Sequence, residues 1–140
     1  MSEDFKYAGP LPAFAATSGP RNAKIALVAE AFGEQEEKTK IPLIGTTGQE
    51  LNRMLLEAGI TRAHCFATNV FALRPRDNKI DSLCLDKKGV GGKDYTLPAT
   101  NMGKYIEPRF LPELARLKEE LETVQPNLII ALGAISTWAL

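Results

Sequence analysis

Three short apolar runs recur along the chain, and each one ends in a polar or glycine-bearing segment. The runs cover residues 24–31 (KIALVAEA), 65–73 (CFATNVFAL) and 127–133 (NLIIALG) and are rich in Ile, Val, Leu, Ala and Phe. Apolar runs of this length, bounded by polar segments, are typical of strands in a parallel sheet. They predict three such strands, of which the first and the third are buried.

Helical periodicity lies between the first two of these runs, over residues 47–60. The apolar positions recur at i, i+3, i+4 and i+7, which predicts a helix face formed by Leu51, Met54, Leu55 and Ala58. Thr47 is followed three residues later by Glu50, which predicts a capping box at the start of the helix. Gly59 stands where a left-handed residue ends many helices.

A second helix is predicted over residues 110–124, before the third apolar run. Its apolar positions predict a core face formed by Leu114, Leu117, Leu121 and Val124, and Pro126 marks its end. Residues 134–140 (AISTWAL) predict the beginning of another helix after the third strand.

The alternation of predicted strands and helices indicates an α/β fold with three α/β/α layers and a short central parallel sheet. The loops after Ala29, Thr68 and Leu132 then meet at one rim, where ligands bind such sheets. Residues 1–23 predict an extended N-terminal arm, and residues 24–140 the α/β domain. Residues 79–104, which lack a sustained period, predict a long surface insertion.

Composition and charge narrow the class of protein without naming a partner. The 140 residues, 44% hydrophobic and 24% charged, fit one globular domain. Seventeen basic residues balance 17 acidic ones, so any surface for nucleic acid must be local. Two cysteines without a CxxC pattern indicate neither a disulfide framework nor a metal site. With no signal-like start and no membrane-length apolar run, these features predict a soluble, cytoplasmic protein.

Four segments at the predicted rim carry candidate chemistry: residues 29–37 (AEAFGEQEE), 41–50 (IPLIGTTGQE), 68–78 (TNVFALRPRDN) and 132–136 (LGAIS). Their order and spacing resemble the uracil-DNA glycosylase superfamily, in particular the thermostable family four and its phage-encoded relatives. The resembling motifs are Glu-Ala-Phe-Gly from Glu30, Pro-Leu-Ile-Gly from Pro42, Thr-Asn at Thr68, Arg-Pro at Arg74 with Asn78, and Leu-Gly at Leu132.

The resemblance implies hydrolysis of the N-glycosidic bond of a flipped deoxyuridine in DNA. Asn69 would pair with the O4 and N3 edge of uracil, and Glu30 would supply the catalytic carboxylate. Base-binding groups are expected at Ala31, Phe32, Gly33 and Leu43. Leu43 replaces the family's stacking aromatic, so Phe32 is expected to stack on the base; a pocket preferring another base, or none, is the alternative.

The DNA backbone is expected at two places on the rim. Free N–H groups at the start of the first predicted helix suit a phosphate, which assigns Gly45, Thr46, Thr47 and Gly48. Arg74, Arg76 and Asn78 are assigned as further backbone contacts. Glu34, Glu36 and Glu37 are interpreted as a solvated acidic loop with no role.

Two family features are not matched by residues of this chain. The sequence ends before the family's His-Pro-Ser motif could occur, so we expect an incomplete C-terminal end, and His64 precedes the second strand. The four cluster cysteines of family four are not matched, so neither an iron–sulfur cluster nor another cofactor is expected.

Three hypotheses therefore follow. The chain is a glycosylase of base excision repair, an inactive relative that binds DNA or a replication partner, or a flavodoxin-like or nucleotide-binding α/β domain. The expected partners are uracil-containing DNA and either a C-terminal remainder of the domain or replication proteins, with no membrane. The expected location is the cytoplasm, at the nucleoid or in a phage-infected bacterial cell.

Overall fold

A computed structural model describes residues 7–92, 97–100 and 103–140 of the chain. Its centre is a three-stranded parallel sheet formed by β1 (Ile25–Ala31), β2 (Phe66–Phe71) and β5 (Leu128–Ala131) in the order β2-β1-β5. The register pairs Ala29 with Asn69 and Val28 with Ala131. The predicted strands are confirmed, and their carboxyl ends meet at one rim.

In the described part of the chain, four α-helices and a small second sheet surround these strands. The helices are α1 (Glu34–Thr39), α2 (Thr46–Glu57), α3 (Leu111–Val124) and α4 (Ala134–Ala139), and β3 (Cys84–Leu85) pairs antiparallel with β4 (Tyr105–Ile106). Helix α1 was not predicted, because its acidic residues had been assigned to a solvated loop. None of the described helices is long and apolar enough to cross a bilayer.

Apolar side chains from β1 and β2 reach both faces of the sheet, because successive side chains of a strand point in opposite directions. On one face Val28 and Val70 pack with Leu117 of α3 and Ile135 of α4. On the other face the core consists of Leu27, Ala29 and Ala67 with Leu51 and Leu55 of α2. The three-layer α/β/α prediction is confirmed.

Helix α2 differs from its prediction at its beginning and on its apolar face. Its N-cap is Gly45, so the predicted capping box of Thr47 and Glu50 does not form. Met54 is 54% exposed, and of the predicted face only Leu51 and Leu55 are buried. Gly59 does adopt the predicted left-handed conformation after the helix, with φ of 77°.

The third strand and α3 also differ from their predicted burial. In β5, Leu128 is 52% exposed and Ile129 is 39% exposed, because β5 is an outer strand of the described sheet. The strand itself is confirmed, but the prediction that it is buried was wrong. In α3 the buried face holds charged residues beside Leu117 and Val124, namely Glu113, Arg116 and Glu120.

The N-terminal arm and the insertion both contact the domain. Ser18 and Ala67 exchange two backbone hydrogen bonds of 3.1 and 2.9 Å, so the arm runs antiparallel along the outer edge of β2. The predicted surface insertion at 79–104 places Leu83 and Cys84 in the core that also contains Phe110. Its described part is therefore more than a surface loop.

Candidate functional site

A cavity of about 620 Å³ opens at the carboxyl ends of the three parallel strands. Most of the predicted site residues line it together: Glu30, Ala31, Phe32, Gly33, Leu43, Gly45, Thr46, Thr47, Asn69 and Asn78. Gly48, Arg74 and Arg76 are not among its lining residues. The rim predicted from strand order therefore coincides with a real concave site.

Asn69 presents a buried amide at this cavity. The residue is 1% exposed, and neither Oδ1 nor Nδ2 has a hydrogen-bond partner within the described residues. An unsatisfied buried polar group costs about 1–3 kcal/mol, so native structures rarely keep one without a reason. Its donor and acceptor are thus free for a ligand that occupies the cavity.

Glu30 is held by the beginning of α4. Its Oε2 accepts a 2.9 Å hydrogen bond from the Ile135 N–H, and Oε1 accepts none within the described residues. Gly133 adopts a φ of 92°, and a Cβ at this position would collide with the Glu30 carboxylate. The glycine therefore makes room for a carboxylate that has one oxygen fixed and the other free.

Glu36 joins two walls of the cavity, and sequence reasoning had given it no role. Its carboxylate accepts hydrogen bonds from the N–H groups of Gly33 (3.0 Å), Ile44 (3.0 Å) and Gly45 (2.8 Å). Burial alone would raise the pKa of Glu36, but the hydrogen bonds from Gly45, Ile44 and Gly33 outweigh it and hold the pKa below its ordinary value.

This contact corrects the predicted phosphate site at the start of α2. The Gly45 N–H already donates to Glu36, so it is not available to a DNA phosphate. Gly48 is buried, and a Cβ there would collide with the Leu43 backbone, so close packing requires a glycine at this position, and its assignment to the DNA backbone stays a prediction. Thr46 and Thr47 line the cavity, and their assignment to the DNA backbone stays a prediction.

Leu43 forms part of the cavity wall in a conformation that is uncommon for its residue type. It is 5% exposed and has a φ of 57°, in the left-handed region. The Arg62 guanidinium donates to the carbonyl oxygens of Pro42 (3.0 Å) and Leu43 (3.2 Å) and so holds this turn. Sequence reasoning missed Arg62, which carries no local motif.

Phe32 is fixed by backbone and packing contacts beside the cavity. Its N–H donates to the Leu73 carbonyl at 2.9 Å, and its ring packs with Ala16 and Ala72. The Lys40 ammonium lies 5.6 Å from the ring centroid. Because Phe32 is only 2% exposed, its stacking on a base stays a prediction.

The two predicted arginines lie beside the cavity and outside its wall. Arg74 Nε donates to Asn78 Oδ1 at 2.8 Å, and its Nη1 lies 3.9 Å from the Glu37 carboxylate. Asn78, which lines the cavity, is thereby oriented by Arg74. Arg76 follows in a single 3-10 turn. Their contacts with a DNA backbone stay predictions.

The thiols and the histidine lie away from this chemistry. Cys65 and Cys84 are buried and free, and no cluster of His, Cys, Asp or Glu able to hold a metal ion occurs in the part of the chain that the structure describes. His64 is exposed and lines a separate cavity of about 440 Å³ beside Lys24 and Ile25, at the amino end of β1.

Comparisons with known proteins match this chain to uracil-DNA glycosylases. The family model of the uracil DNA glycosylase superfamily matches residues 16–139. A type-4 uracil-DNA glycosylase of Thermotoga maritima is 38% identical over 116 residues, which cover 83% of this chain and 48% of that protein. The type-4 enzyme of Archaeoglobus fulgidus is 30% identical over 82% of this chain and 46% of its own length.

A third relative carries the same name. The type-4 uracil-DNA glycosylase of Saccharolobus solfataricus is 29% identical over 120 residues, which cover 85% of this chain and 44% of that protein. The chain thus spans about half the length of the curated relatives it matches.

Proposed function

The chain belongs to the uracil DNA glycosylase superfamily, and from this premise we propose that it acts as a uracil-DNA glycosylase in base excision repair. The proposed reaction is hydrolysis of the N-glycosidic bond of a deoxyuridine that has been flipped out of the DNA stack. The observation that carries the proposal is the Asn69 side chain, a buried amide with no partner among the described residues, at the wall of the cavity.

The proposed role of Asn69 is to read the base. Uracil presents an N3–H donor beside the O4 acceptor, which Asn69 Oδ1 and Nδ2 complement. Cytosine presents the reverse order, an N3 acceptor beside an N4–H donor. Binding cytosine in the same pose would leave the buried amide facing groups of its own kind, and such mismatches cost more than a missing contact in water.

The proposed role of Glu30 is electrostatic. Bond cleavage develops positive charge on the sugar and negative charge on the departing base, and preorganised charges lower the energy of such a state. One Glu30 oxygen is fixed by the Ile135 N–H, which leaves the other to orient a water molecule or face the sugar. Of the backbone N–H groups from Ala31 to Gly33, that of Phe32 already donates to Leu73 and that of Gly33 to Glu36, so the Ala31 N–H is the one proposed to help hold the base.

DNA that contains uracil is the proposed partner, and the cytoplasm is the proposed location. Thr46 and Thr47 at the start of α2, with Arg74 and Arg76 beside the cavity, are proposed to contact the DNA backbone. The 3.9 Å contact of Arg74 with Glu37 is a partly exposed ion pair, so it leaves most of the arginine's charge available to a phosphate.

The proposal is tested by excision from a labelled oligonucleotide that contains one deoxyuridine, followed by alkali cleavage. The chain is tested alone and in a version extended by the downstream coding sequence, and we expect strand breaks that are lost in Asn69→Ala and Glu30→Gln. Matched controls are Asn127→Ala and Glu119→Gln, at exposed positions, which should retain activity. Breaks that persist in both site variants would remove these residues from the proposed mechanism.

The alternative is an inactive relative that binds DNA or a replication partner. Leu43 favours it, because an aliphatic side chain forms the wall where the resemblance implies a stacking aromatic. The same oligonucleotide distinguishes the two functions. Binding that prefers deoxyuridine but yields no breaks, in a folded chain, would support the alternative, and breaks would exclude it.

A further inference from the structure

Three charged side chains of α3 are buried behind the strand that carries Asn69. Arg116 is 5% exposed, and Glu113 and Glu120 are each 0% exposed. Arg116 Nη1 donates to Glu120 Oε1 at 2.8 Å, and the Thr68 hydroxyl donates to the same oxygen at 2.5 Å. Buried charges are costly unless they are paired and hydrogen-bonded, so a cluster of this kind requires close geometric specification.

The remaining oxygens of the two carboxylates are also satisfied. Glu120 Oε2 accepts from the Phe14 N–H at 2.9 Å, and Glu113 accepts from the Ala72 N–H at 2.7 Å and the Tyr7 hydroxyl at 2.8 Å. Burial, and then the bond to Glu113, raise the pKa of Tyr7, which keeps its hydroxyl a donor. The two carboxylates are therefore held by donors from the arm, from β2 and from Ala72 just after it, and Arg116 donates to Glu120 from within the same cluster.

Arg116 aims its other terminal nitrogen at the backbone of Asn69. Nη2 donates to the carbonyl oxygen of Asn69 at 2.7 Å and to that of Val70 at 2.8 Å. The arm pairs with the outer edge of β2 at Ala67, and the Asn69 carbonyl, two residues further, points to the same side. The arm therefore pairs with this edge at Ala67, and at Asn69 the Arg116 guanidinium donates the hydrogen bond that a neighbouring strand would otherwise supply.

The side chain of Asn69 has no comparable support of its own. No described residue bonds its Oδ1 or Nδ2, so its direction is set by its backbone and by packing. We propose that Arg116 is a positioning residue for base reading: by fixing the carbonyl groups of Asn69 and Val70 it holds the Asn69 amide in the orientation that a base requires. This inference rests on the proposed function for its catalytic consequence, but its structural part can be measured without DNA.

Replacing Arg116 by lysine distinguishes the positioning role of the guanidinium from the effect of its positive charge. A guanidinium presents five donors in a planar fork, whereas an ammonium is a compact point charge that cannot span Glu120 and both carbonyl groups. Arg116→Lys keeps the positive charge between the two acids and removes the fork. Glu120→Gln removes one acid and leaves the bonds from Arg116 to Asn69 and Val70. Lys118→Met, on the exposed side of α3, is the matched surface control.

The first readout is the order of the Asn69 side-chain amide by ¹⁵N relaxation in the free protein. We expect a rigid amide in the unmodified chain, in Lys118→Met and in Glu120→Gln, and an order parameter below about 0.6 in Arg116→Lys. Glu120→Gln is expected to lower the urea midpoint while keeping Asn69 ordered. If the network had only a structural role, the order of the Asn69 amide would instead fall in every variant whose urea midpoint falls, including Glu120→Gln.

The second readout is steady-state excision of uracil under conditions where each variant is folded. We expect kcat of Arg116→Lys to fall by about 10- to 100-fold, as for small misplacements of reacting groups, with KM for DNA changed by less than about twofold. An Asn69 amide as ordered in folded Arg116→Lys as in the unmodified chain would overturn the positioning role. No excision by the unmodified chain, either alone or extended by the downstream coding sequence, would overturn the glycosylase proposal and leave the relaxation result decisive for positioning.

If Arg116→Lys does not fold, a triple variant replaces it. Glu113→Gln, Arg116→Met and Glu120→Gln together leave no buried charge in the cluster, and such neutral replacements often fold well. The same loss of Asn69 order is expected, and retained order would again overturn the proposal.

Discussion

Replacing Glu36 by glutamine should loosen the wall between α1 and α2, because one carboxylate accepts three backbone hydrogen bonds there. A glutamine oxygen can keep the two bonds from Ile44 and Gly45, but the new NH₂ group then faces the Gly33 N–H, donor against donor. The substitution hardly changes the volume of the side chain, so its effect on stability measures the loss of the negative charge and of the hydrogen bond from the Gly33 N–H.

The expected magnitude follows from these three contacts. Hydrogen bonds to a charged group contribute about 1.5–3 kcal/mol each and neutral ones about 1 kcal/mol. The three hydrogen bonds to the charged carboxylate therefore contribute at least about 2.5 kcal/mol more than the two neutral bonds that a glutamine keeps. We expect Glu36→Gln to lower the free energy of unfolding by about 3 kcal/mol at pH 7. With an m-value of about 2 kcal/mol/M this lowers the urea midpoint by about 1.5 M.

The loss should depend on pH with a defined sign. The folded protein holds the pKa of Glu36 below its ordinary value, so the stabilisation is complete above the unfolded pKa of about 4.3. It is lost as the pH falls through the folded pKa, where the protonated side chain resembles glutamine. The difference between the two proteins should thus be constant near neutral pH and shrink below about pH 4.3.

Urea unfolding at several pH values, followed by circular dichroism and by the fluorescence of the single tryptophan, Trp138, measures this difference. Glu34→Gln is the matched control on the same helix, because Glu34 is exposed and pairs only with Lys38 among the described residues. A change below about 0.5 kcal/mol for Glu36→Gln, or one that persists unchanged at acid pH, would refute the assignment of Glu36 as the joint between the walls.

Three further outcomes are expected. Gly48→Ala should lower the free energy of unfolding by about 2 kcal/mol or more in urea melts, because its Cβ collides with the Leu43 backbone; an unchanged midpoint would contradict this packing. Burial, and then Asp81, raise the pKa of Cys84 to about 11, so Ellman's reagent at pH 8 should label it only after unfolding, and prompt labelling of the native chain would contradict its burial. Asn69→Leu should abolish excision yet raise the urea-derived stability by about 1 kcal/mol, since it removes an unsatisfied buried amide; a large loss of stability would mean that the amide is bonded in solution.

The parts of the fold that could be predicted from the sequence are those with a local signal. The apolar runs that became β1 and β2 and the glycine after α2 depend on a few neighbouring residues, and the structure confirms them. The rim followed from strand order alone, and it brought Glu30 and Asn69 to one cavity. The exposure of β5 could not be predicted, because a strand's neighbours are set by the whole sheet.

The missed residues of the site share a different property, since each contacts backbone that lies outside its own helix or turn. Glu36 contacts Ile44 and Gly45, Arg62 contacts Pro42 and Leu43, and Arg116 contacts Asn69. No periodicity or motif marks a side chain whose partner is a distant carbonyl or N–H group. One signal was present for Arg116: charged residues at i, i+3 and i+7 lie on the core face of α3, where an amphipathic helix should be apolar.

These residues explain how the site can hold unsatisfied groups at its centre. Around the cavity, Asn69 keeps its amide free and Glu30 keeps one oxygen free, which costs stability. Two satisfied groups offset that cost by binding backbone groups: Glu36 in the cavity wall and Arg116 behind β2. Replacements of the unsatisfied and of the satisfied groups should therefore have different effects: those at Asn69 should remove activity and spare stability, whereas those at Glu36 should lower stability first. If replacements at Asn69 and at Glu36 lowered the free energy of unfolding by similar amounts, the Asn69 amide would contribute to stability and would not be a free group kept for a ligand.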